Sequence, residues 1–102
     1  MIDQDRIGEL EREIGAEDLL EILAAYFEEA ATMIRRIENG LQPDELPRAL
    51  HFLRSGALNL GLVGIVEVAG RMREIGLAAD GASLFQTLEA TRLELASRRP
   101  PG

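Results

Sequence analysis

Residues 16–39, AEDLLEILAAYFEEAATMIRRIEN, carry the long helical pattern around which the fold is organised. Apolar side chains recur there at alternating spacings of three and four residues, which places them on one face of an α-helix. These residues are Leu20, Leu23, Phe27, Ala30, Ile34 and Ile37. A second set widens the face, so we expect this helix to have neighbours on two sides. That set is Leu19, Ile22, Tyr26 and Met33.

Shorter helical segments lie on both sides of this stretch. Residues 3–14 predict a short helix that Gly15 ends, and Gly40 suits the left-handed position after the long helix. The segment LQPDELP then predicts a turn into a third helix, with Asp44 as its N-cap and Pro47 in its first turn. That helix should run to about Leu60.

Two further helices are predicted towards the C-terminus. One covers about 62–75, and the other about 82–98, after breaks at Gly76 and Asp80-Gly81. Their apolar stripes are Leu62, Ile65, Ala69 and Met72 in the first, and Leu84, Leu88, Thr91 and Leu95 in the second. GLVGIVEVAG is rich in valine and isoleucine, but its apolar spacing and its helical neighbours favour a helix.

These segments together predict an all-α fold, because no stretch shows sustained period-two alternation. We expect an antiparallel, up-and-down four-helix bundle with a short N-terminal capping helix. Residues 1–98 should form a single domain and residues 99–102 a flexible tail, since the closing RRPPG cannot continue a helix.

The composition excludes several classes of function. The 102 residues carry a net charge of −7, which disfavours binding to nucleic acid or to anionic membranes. The chain has no cysteine, so it has no disulfide and no thiolate chemistry. No apolar run approaches the roughly 18 residues of a membrane span, and the acidic N-terminus lacks the features of a signal peptide. We therefore expect a cytoplasmic protein.

His51, the single histidine, is the main candidate for chemistry. On a helical wheel it lies roughly 140° from the apolar stripe of the third helix, so it should face solvent. Arg54 follows one turn later, and Ser55 and Leu58 lie on the side of the histidine. Two interpretations remain open at this point. His51 is either a solvated surface histidine or an accessible imidazole nucleophile, with Arg54 placed to bind an anion beside it.

Small residues near His51 favour a docking surface. Ser55, Gly56 and Ala57 would let another protein approach, and glycine costs about 1 kcal/mol in a helix interior relative to alanine. The alternative for Gly56 is close packing between helices of the same chain.

The segment HFLRSGALNLGL, residues 51–62, resembles the phosphorylation motif of histidine-containing phosphotransfer (HPt) domains. That motif has the general form His-x-Leu-Lys/Arg-Gly-small-small-x-x-Leu-Gly. The matching residues are His51, Leu53, Arg54, Gly56, Ala57, Leu60 and Gly61. Two positions depart from the pattern. Ser55 replaces the glycine after the basic residue, and Arg73 stands where the family often has a glutamine that contacts the histidine ring.

The resemblance implies a phosphocarrier rather than an enzyme. His51 would be phosphorylated on Nε2, and the charge of Arg54 would offset the phosphoryl oxygens. Arg73 has two interpretations: a contact with the ring or the phosphoryl group, or an ordinary solvated arginine. The partner-binding surface would comprise Ser55, Leu58, Leu62 and Arg48, with Gly56 as a small residue that permits close approach.

The implied partners are response-regulator receiver domains and a hybrid histidine kinase. The receiver would supply the aspartate and Mg²⁺, so the chain itself would need no cofactor and no metal site. There is no phosphate-binding loop of the P-loop type, so ATP is not expected to be the direct donor. The resemblance also implies a monomer.

Other interpretations are weaker. A histidine-kinase dimerisation domain would normally have an acidic residue where Phe52 follows the histidine. A metal centre is disfavoured by the single histidine and the absence of a ligand motif, and no nucleophile–base pair suggests a hydrolase. A helical adaptor of the same fold that binds a partner without being phosphorylated remains open, because of Ser55.

Overall fold

The computed structural model describes residues 1–75 and 81–98, and every regular element within them is an α-helix. The helices are α1 (Gln4–Ile14), α2 (Ala16–Glu38), α3 (Leu46–Leu60), α4 (Val63–Ile75) and α5 (Gly81–Ser97). The predicted all-α class is confirmed, and GLVGIVEVAG is helical as expected. Among the described helices, none combines the length and the apolar character that crossing a membrane would require.

The four longer helices form a closed bundle, in which α2 packs on α3, α3 on α4, α4 on α5, and α5 on α2. Near the end of α2, Arg36 pairs with Glu45 just before α3, with 3.1 Å between nitrogen and oxygen. Earlier in α2, Tyr26 lies against Gly56 in the second half of α3. The end of α2 thus meets the start of α3, and an earlier part of α2 meets a later part of α3, so the two helices are antiparallel.

The last helix closes the bundle against α2 in the same antiparallel sense. The side chain of Glu38, at the end of α2, lies against Gly81 at the start of α5. Leu23, near the start of α2, shares a groove with Leu95 near the end of α5. The up-and-down arrangement expected from the sequence therefore holds for these helices.

Helix α1 covers one end of the bundle, where α3 turns into α4. The Asp3 N–H donates to the carbonyl of Gly61 at 2.7 Å, and Arg6 Nε donates to the carbonyl of Asn59 at 3.0 Å. Gly61 has φ 73°, a left-handed conformation that glycine adopts without strain. Arg98 and Glu11 form a largely buried ion pair of 3.1 Å that joins the end of α5 to α1. The predicted capping helix is thus present.

The buried face of α2 differs from the predicted one at its N-terminal half. Leu20 is 67% exposed and Ile22 is also exposed, whereas Leu19 and Tyr26 are buried. Two apolar stripes are possible in this sequence, and they share Leu23, Ala30, Ile34 and Ile37. The packing of the Tyr26 ring against α3 selects the stripe that contains Leu19.

The start of α3 also differs from the prediction. Asp44 is not the N-cap: it lies exposed in a turn, and α3 begins after Glu45, which has φ −83° and ψ −29° and makes no side-chain capping bond. The N–H groups of Glu45 and Leu46 donate to the carbonyl of Gln42 instead. The backbone therefore enters the helix already in a helical conformation, whereas a side-chain cap needs an extended one. Pro47 lies in the first turn as predicted.

The predicted cores of the last two helices are largely confirmed. Leu62, Ile65, Ala69 and Met72 are all buried. On α5, Leu84, Leu88 and Thr91 are buried, and Leu95 is half-buried. Gly81 begins α5 rather than preceding it, and the predicted breaks at Gly76 and Asp80 and the predicted tail at 99–102 lie outside the described residues.

Candidate functional site

One face of α3 points away from the bundle core and carries the candidate residues. Arg48, His51, Ser55 and Leu58 follow one another at spacings of three, four and three residues, so they form a single stripe along the helix. Arg48 and His51 are exposed, Ser55 is half-buried, and Leu58 is 57% exposed. The prediction that His51 faces solvent is confirmed, and we call this stripe the histidine face.

The imidazole of His51 has a neighbour on its own helix. Ser55 Oγ lies 3.3 Å from His51 Nε2, within hydrogen-bond distance. No other hydrogen bond to the ring occurs among residues 1–75 and 81–98. The nitrogen that the motif implies as the nucleophile therefore contacts a hydroxyl at the position where Ser55 departs from the family pattern.

Arg54 extends from α3 towards α4. It is half-buried, and a Cβ placed on Gly70 would lie 3.8 Å from Arg54 Nε. The Arg54 side chain therefore lies against α4 at the level of Gly70, at an ordinary contact distance. The α3–α4 contact also fixes the register of these two antiparallel helices.

Arg73 lies close to the level of His51 along the bundle. Arg54 on α3 lies against Gly70 on α4, and the two helices run in opposite directions. Arg73 is three residues after Gly70 and His51 is three residues before Arg54, so the two residues lie at a similar height. Arg73 is exposed and lines a shallow groove with Leu50 and other apolar residues. Between the described residues, no hydrogen bond joins Arg73 to the His51 ring, and its contact with the ring or a phosphoryl group stays a prediction.

The cations near the histidine face are free of carboxylate partners. Arg48, Arg54 and Arg73 make no ion pair with any carboxylate of residues 1–75 and 81–98. By contrast, Arg36, more distant from His51 along the bundle, pairs with Glu45. In a chain of net charge −7, these unpaired arginines give the surroundings of His51 a locally positive character that suits an anion.

Gly56 allows close packing between α3 and α2. A Cβ on Gly56 would lie 2.5 Å and 2.9 Å from Cε1 and Cδ1 of Tyr26. The close packing between helices that the sequence left open for Gly56 is therefore present, with the ring of Tyr26 as its neighbour, while the approach of a partner at Gly56 stays a prediction.

Tyr26 positions α3 and was not singled out for this role by the sequence analysis. Its hydroxyl donates to the carbonyl of Leu53 at 2.7 Å, two residues beyond His51, and its ring stacks on Phe52 with centroids 6.3 Å apart. Burial raises the pKa of the Tyr26 hydroxyl well above the ordinary value. The available signal in the sequence was a single tyrosine within the apolar face of the long helix.

Leu62 does not belong to the surface around His51. It has no exposed area and forms part of the core beneath the α3–α4 turn. The prediction that Leu62 contacts a partner is wrong, because its place in the apolar stripe of the fourth helix determines its orientation.

Helix α2 contributes a groove beside the histidine face. The groove has a volume of about 430 Å³, and Phe52 forms its α3 side. The residues lining it from α2 are Ala25, Glu28, Glu29, Thr32, Met33 and Arg36. Within the described part of the chain, no group of three or more histidine and carboxylate side chains is placed to hold a metal ion.

The family model for the Hpt domain matches residues 21–98, which is most of the sequence and includes the histidine face. No curated protein and no solved structure shows significant similarity to the chain.

Proposed function

Because this chain belongs to the Hpt domain family, we propose that it relays a phosphoryl group on His51 between the aspartates of response-regulator receiver domains. The family implies phosphotransfer in two-component signalling, and its members are phosphocarriers that interact with receiver domains and kinases. The relay between receivers is the specific role that we assign to this chain.

The observation that carries the proposal is the exposure of His51 on a helix face inside the matched segment. A histidine recruited for packing would lie on the core side of α3, with Leu53 and Ala57. His51 lies on the opposite side, with Arg48 and Leu58 exposed beside it.

The transfer requires only the imidazole of this chain as a nucleophile. Histidine side chains in general lose their proton near pH 6.5, so neutral imidazole is abundant at neutral pH. Nε2 attacks the phosphorus of the aspartyl phosphate, the N–P bond forms, and the P–O bond to the aspartate breaks. The aspartate leaves as a carboxylate, and the ring keeps its Nδ1 proton. The reverse reaction delivers the group to the next receiver.

The arginines would act through charge. Phosphoryl transfer depends mainly on positioning and on stabilisation of the phosphoryl oxygens. The guanidinium of Arg54, free of any described carboxylate and one turn from His51, is placed to share that charge. We propose that Arg73, at the same level on α4, joins it once a phosphoryl group is present. The receiver would contribute Mg²⁺ together with the aspartate.

The docking surface that we propose comprises Arg48, Ser55 and Leu58 of the histidine face, together with the adjoining α2–α3 groove. Exposed leucine provides apolar contact area, and arginine provides a polar anchor. We further propose that the chain acts as a monomer in the cytoplasm, where receiver domains and a hybrid histidine kinase would meet it.

A phosphotransfer assay tests the proposal. Receiver domains from the same organism, phosphorylated with radiolabel, are mixed with the wild-type chain, with His51→Gln and with Asn59→Ala, an exposed control on the same helix. We expect acid-labile, alkali-stable label on the wild type and on Asn59→Ala, and none on His51→Gln. Absence of label from every receiver in a complete panel, with the chain helical by circular dichroism, would overturn the relay and favour an adaptor that binds without phosphorylation.

A further inference from the structure

The hydroxyl of Ser55 has a different kind of hydrogen-bond partner from four other serine and threonine hydroxyls on the described helices. Thr32, Thr87, Thr91 and Ser97 each donate to a backbone carbonyl three or four residues earlier. This is the usual arrangement for a helical serine or threonine, because that carbonyl lies nearby. Ser55 Oγ instead lies 3.3 Å from Nε2 of His51.

The hydrogen bond between Ser55 and His51 has two possible directions. If Nε2 carries the ring proton, it donates to Ser55 Oγ, and the nitrogen has no lone pair for attack. If the proton is on Nδ1, the hydroxyl donates to the lone pair of Nε2. The second arrangement is the stronger bond, because an imidazole nitrogen is a more basic acceptor than a hydroxyl oxygen, and it alone leaves Nε2 able to become a nucleophile once the hydroxyl turns away. A serine hydroxyl rotates freely enough to make that change.

We propose that Ser55 is a positioning residue for His51, whose hydroxyl favours the Nδ1–H form of the ring and then donates to a phosphoryl oxygen after transfer. The second half rests on the proposed function. A phosphoryl oxygen is two bonds from Nε2, and the 3.3 Å separation brings such an oxygen within reach of Oγ. Before transfer the hydroxyl donates to the lone pair of Nε2, and after transfer it donates to an oxygen of the phosphoryl group now bound to Nε2. The hydroxyl keeps its proton throughout. The glycine common at this position in the family would offer no such donor.

The first half is tested on the unphosphorylated chain. Because the chain has a single histidine, one pair of ring nitrogen resonances reports the tautomers without ambiguity. Nitrogen-15 NMR at about pH 8.5, where imidazole side chains in general are neutral, compares the wild type with Ser55→Ala. The matched control is Ser97→Ala, whose hydroxyl donates to the backbone.

We expect the ratio of the Nδ1–H to the Nε2–H form to fall about two-fold or more in Ser55→Ala, the size of one modest hydrogen bond. Ser97→Ala should not change the ratio. An unchanged ratio in Ser55→Ala overturns the first half. A purely structural role of Ser55 would not change the tautomer ratio. The Ser55→Ala helix should remain folded, because alanine is a better helix former than serine.

The second half is tested with a receiver that labels the wild type. The equilibrium constant for transfer from that receiver to His51 should fall about three- to ten-fold in Ser55→Ala, because a hydrogen bond to a charged phosphoryl oxygen is lost. Equal constants overturn the second half. If no receiver labels either protein, the proposed function fails and the phosphoryl step with it, while the NMR result still decides the effect of Ser55 on the ring.

Discussion

Replacement of Gly56 by alanine is the sharpest test of how α2 holds the helix that carries His51. The new Cβ would lie 2.5 Å from Cε1 and 2.9 Å from Cδ1 of Tyr26, closer than two carbon atoms can approach. The ring cannot simply move aside, because it is 7% exposed and its hydroxyl is held by the carbonyl of Leu53. Either the ring rotates and loses that hydrogen bond, or α2 and α3 separate.

The expected free energy follows from three contributions. Overpacking a core typically costs about 1–3 kcal/mol, and loss of the hydroxyl's hydrogen bond costs about 1 kcal/mol. Alanine is favoured over glycine inside a helix by up to about 1 kcal/mol. The net expectation is that the free energy of unfolding falls by about 1–3 kcal/mol, and each kcal/mol lowers Tm by about 4–8 °C in a domain of this size.

Urea unfolding followed by circular dichroism measures this change. Gly8→Ala is the matched control, because its Cβ would meet only Arg12 Nη1 at 3.5 Å, an ordinary contact. That variant should be as stable as the wild type or more stable. In a Tyr26→Ala background, Gly56→Ala should no longer destabilise, since the ring is gone. A Gly56→Ala protein as stable as the wild type would refute the packing argument.

Three further predictions concern the site and its support. Burial raises the pKa of the Tyr26 phenol in the folded chain. Above about pH 10 the unfolded chain therefore loses the phenol proton while the folded chain keeps it. As the pH rises further, the free energy of unfolding should fall by about 1.4 kcal/mol per pH unit. The chain has no lysine and no cysteine, so Tyr26→Phe should remove this alkaline loss in urea titrations; an unchanged loss would show that the phenol is not its source. Arg54→Ala should slow labelling of His51 about ten-fold or more, the effect of one charge-assisted contact, with helical content unchanged; an equal rate would remove Arg54 from the mechanism. Leu62→Ala should cost about 2–5 kcal/mol of unfolding free energy as a core truncation. Leu58→Ala should change stability by less than about 0.5 kcal/mol and weaken receiver binding, measured by calorimetry; the reverse pattern would contradict the placement of these two residues.

Much of the candidate site could be predicted because it lies on one helix. The periodicity of α3 fixes the angle between His51 and the buried Leu53, so exposure of the histidine followed from the sequence. The spacing of Ser55 relative to His51 likewise implied that they share a face. The direction of the serine hydroxyl did not follow, because a helical hydroxyl has a backbone carbonyl as an alternative partner.

Residues that meet partners on another helix were not predictable in the same way. Gly56 was open to two interpretations because its neighbour, Tyr26, lies 30 positions earlier in the chain. Leu62 was assigned to both the core stripe and the partner surface, and only its burial decided between them. Asp44 has the side chain of a good cap, but the backbone of the preceding turn prevents its use.

The sequence by itself determined that this chain forms helices, where they begin and end to within a residue or two, and which motif one of them carries. These properties depend on contacts between residues three or four apart, which the order of amino acids specifies directly. Only the tertiary structure decided which of two overlapping stripes on α2 is buried, and that the Tyr26 hydroxyl holds the backbone of α3. The reason is that both stripes carry apolar side chains at helical spacing, so periodicity does not rank them, and the choice between them depends on the shape of the facing helix.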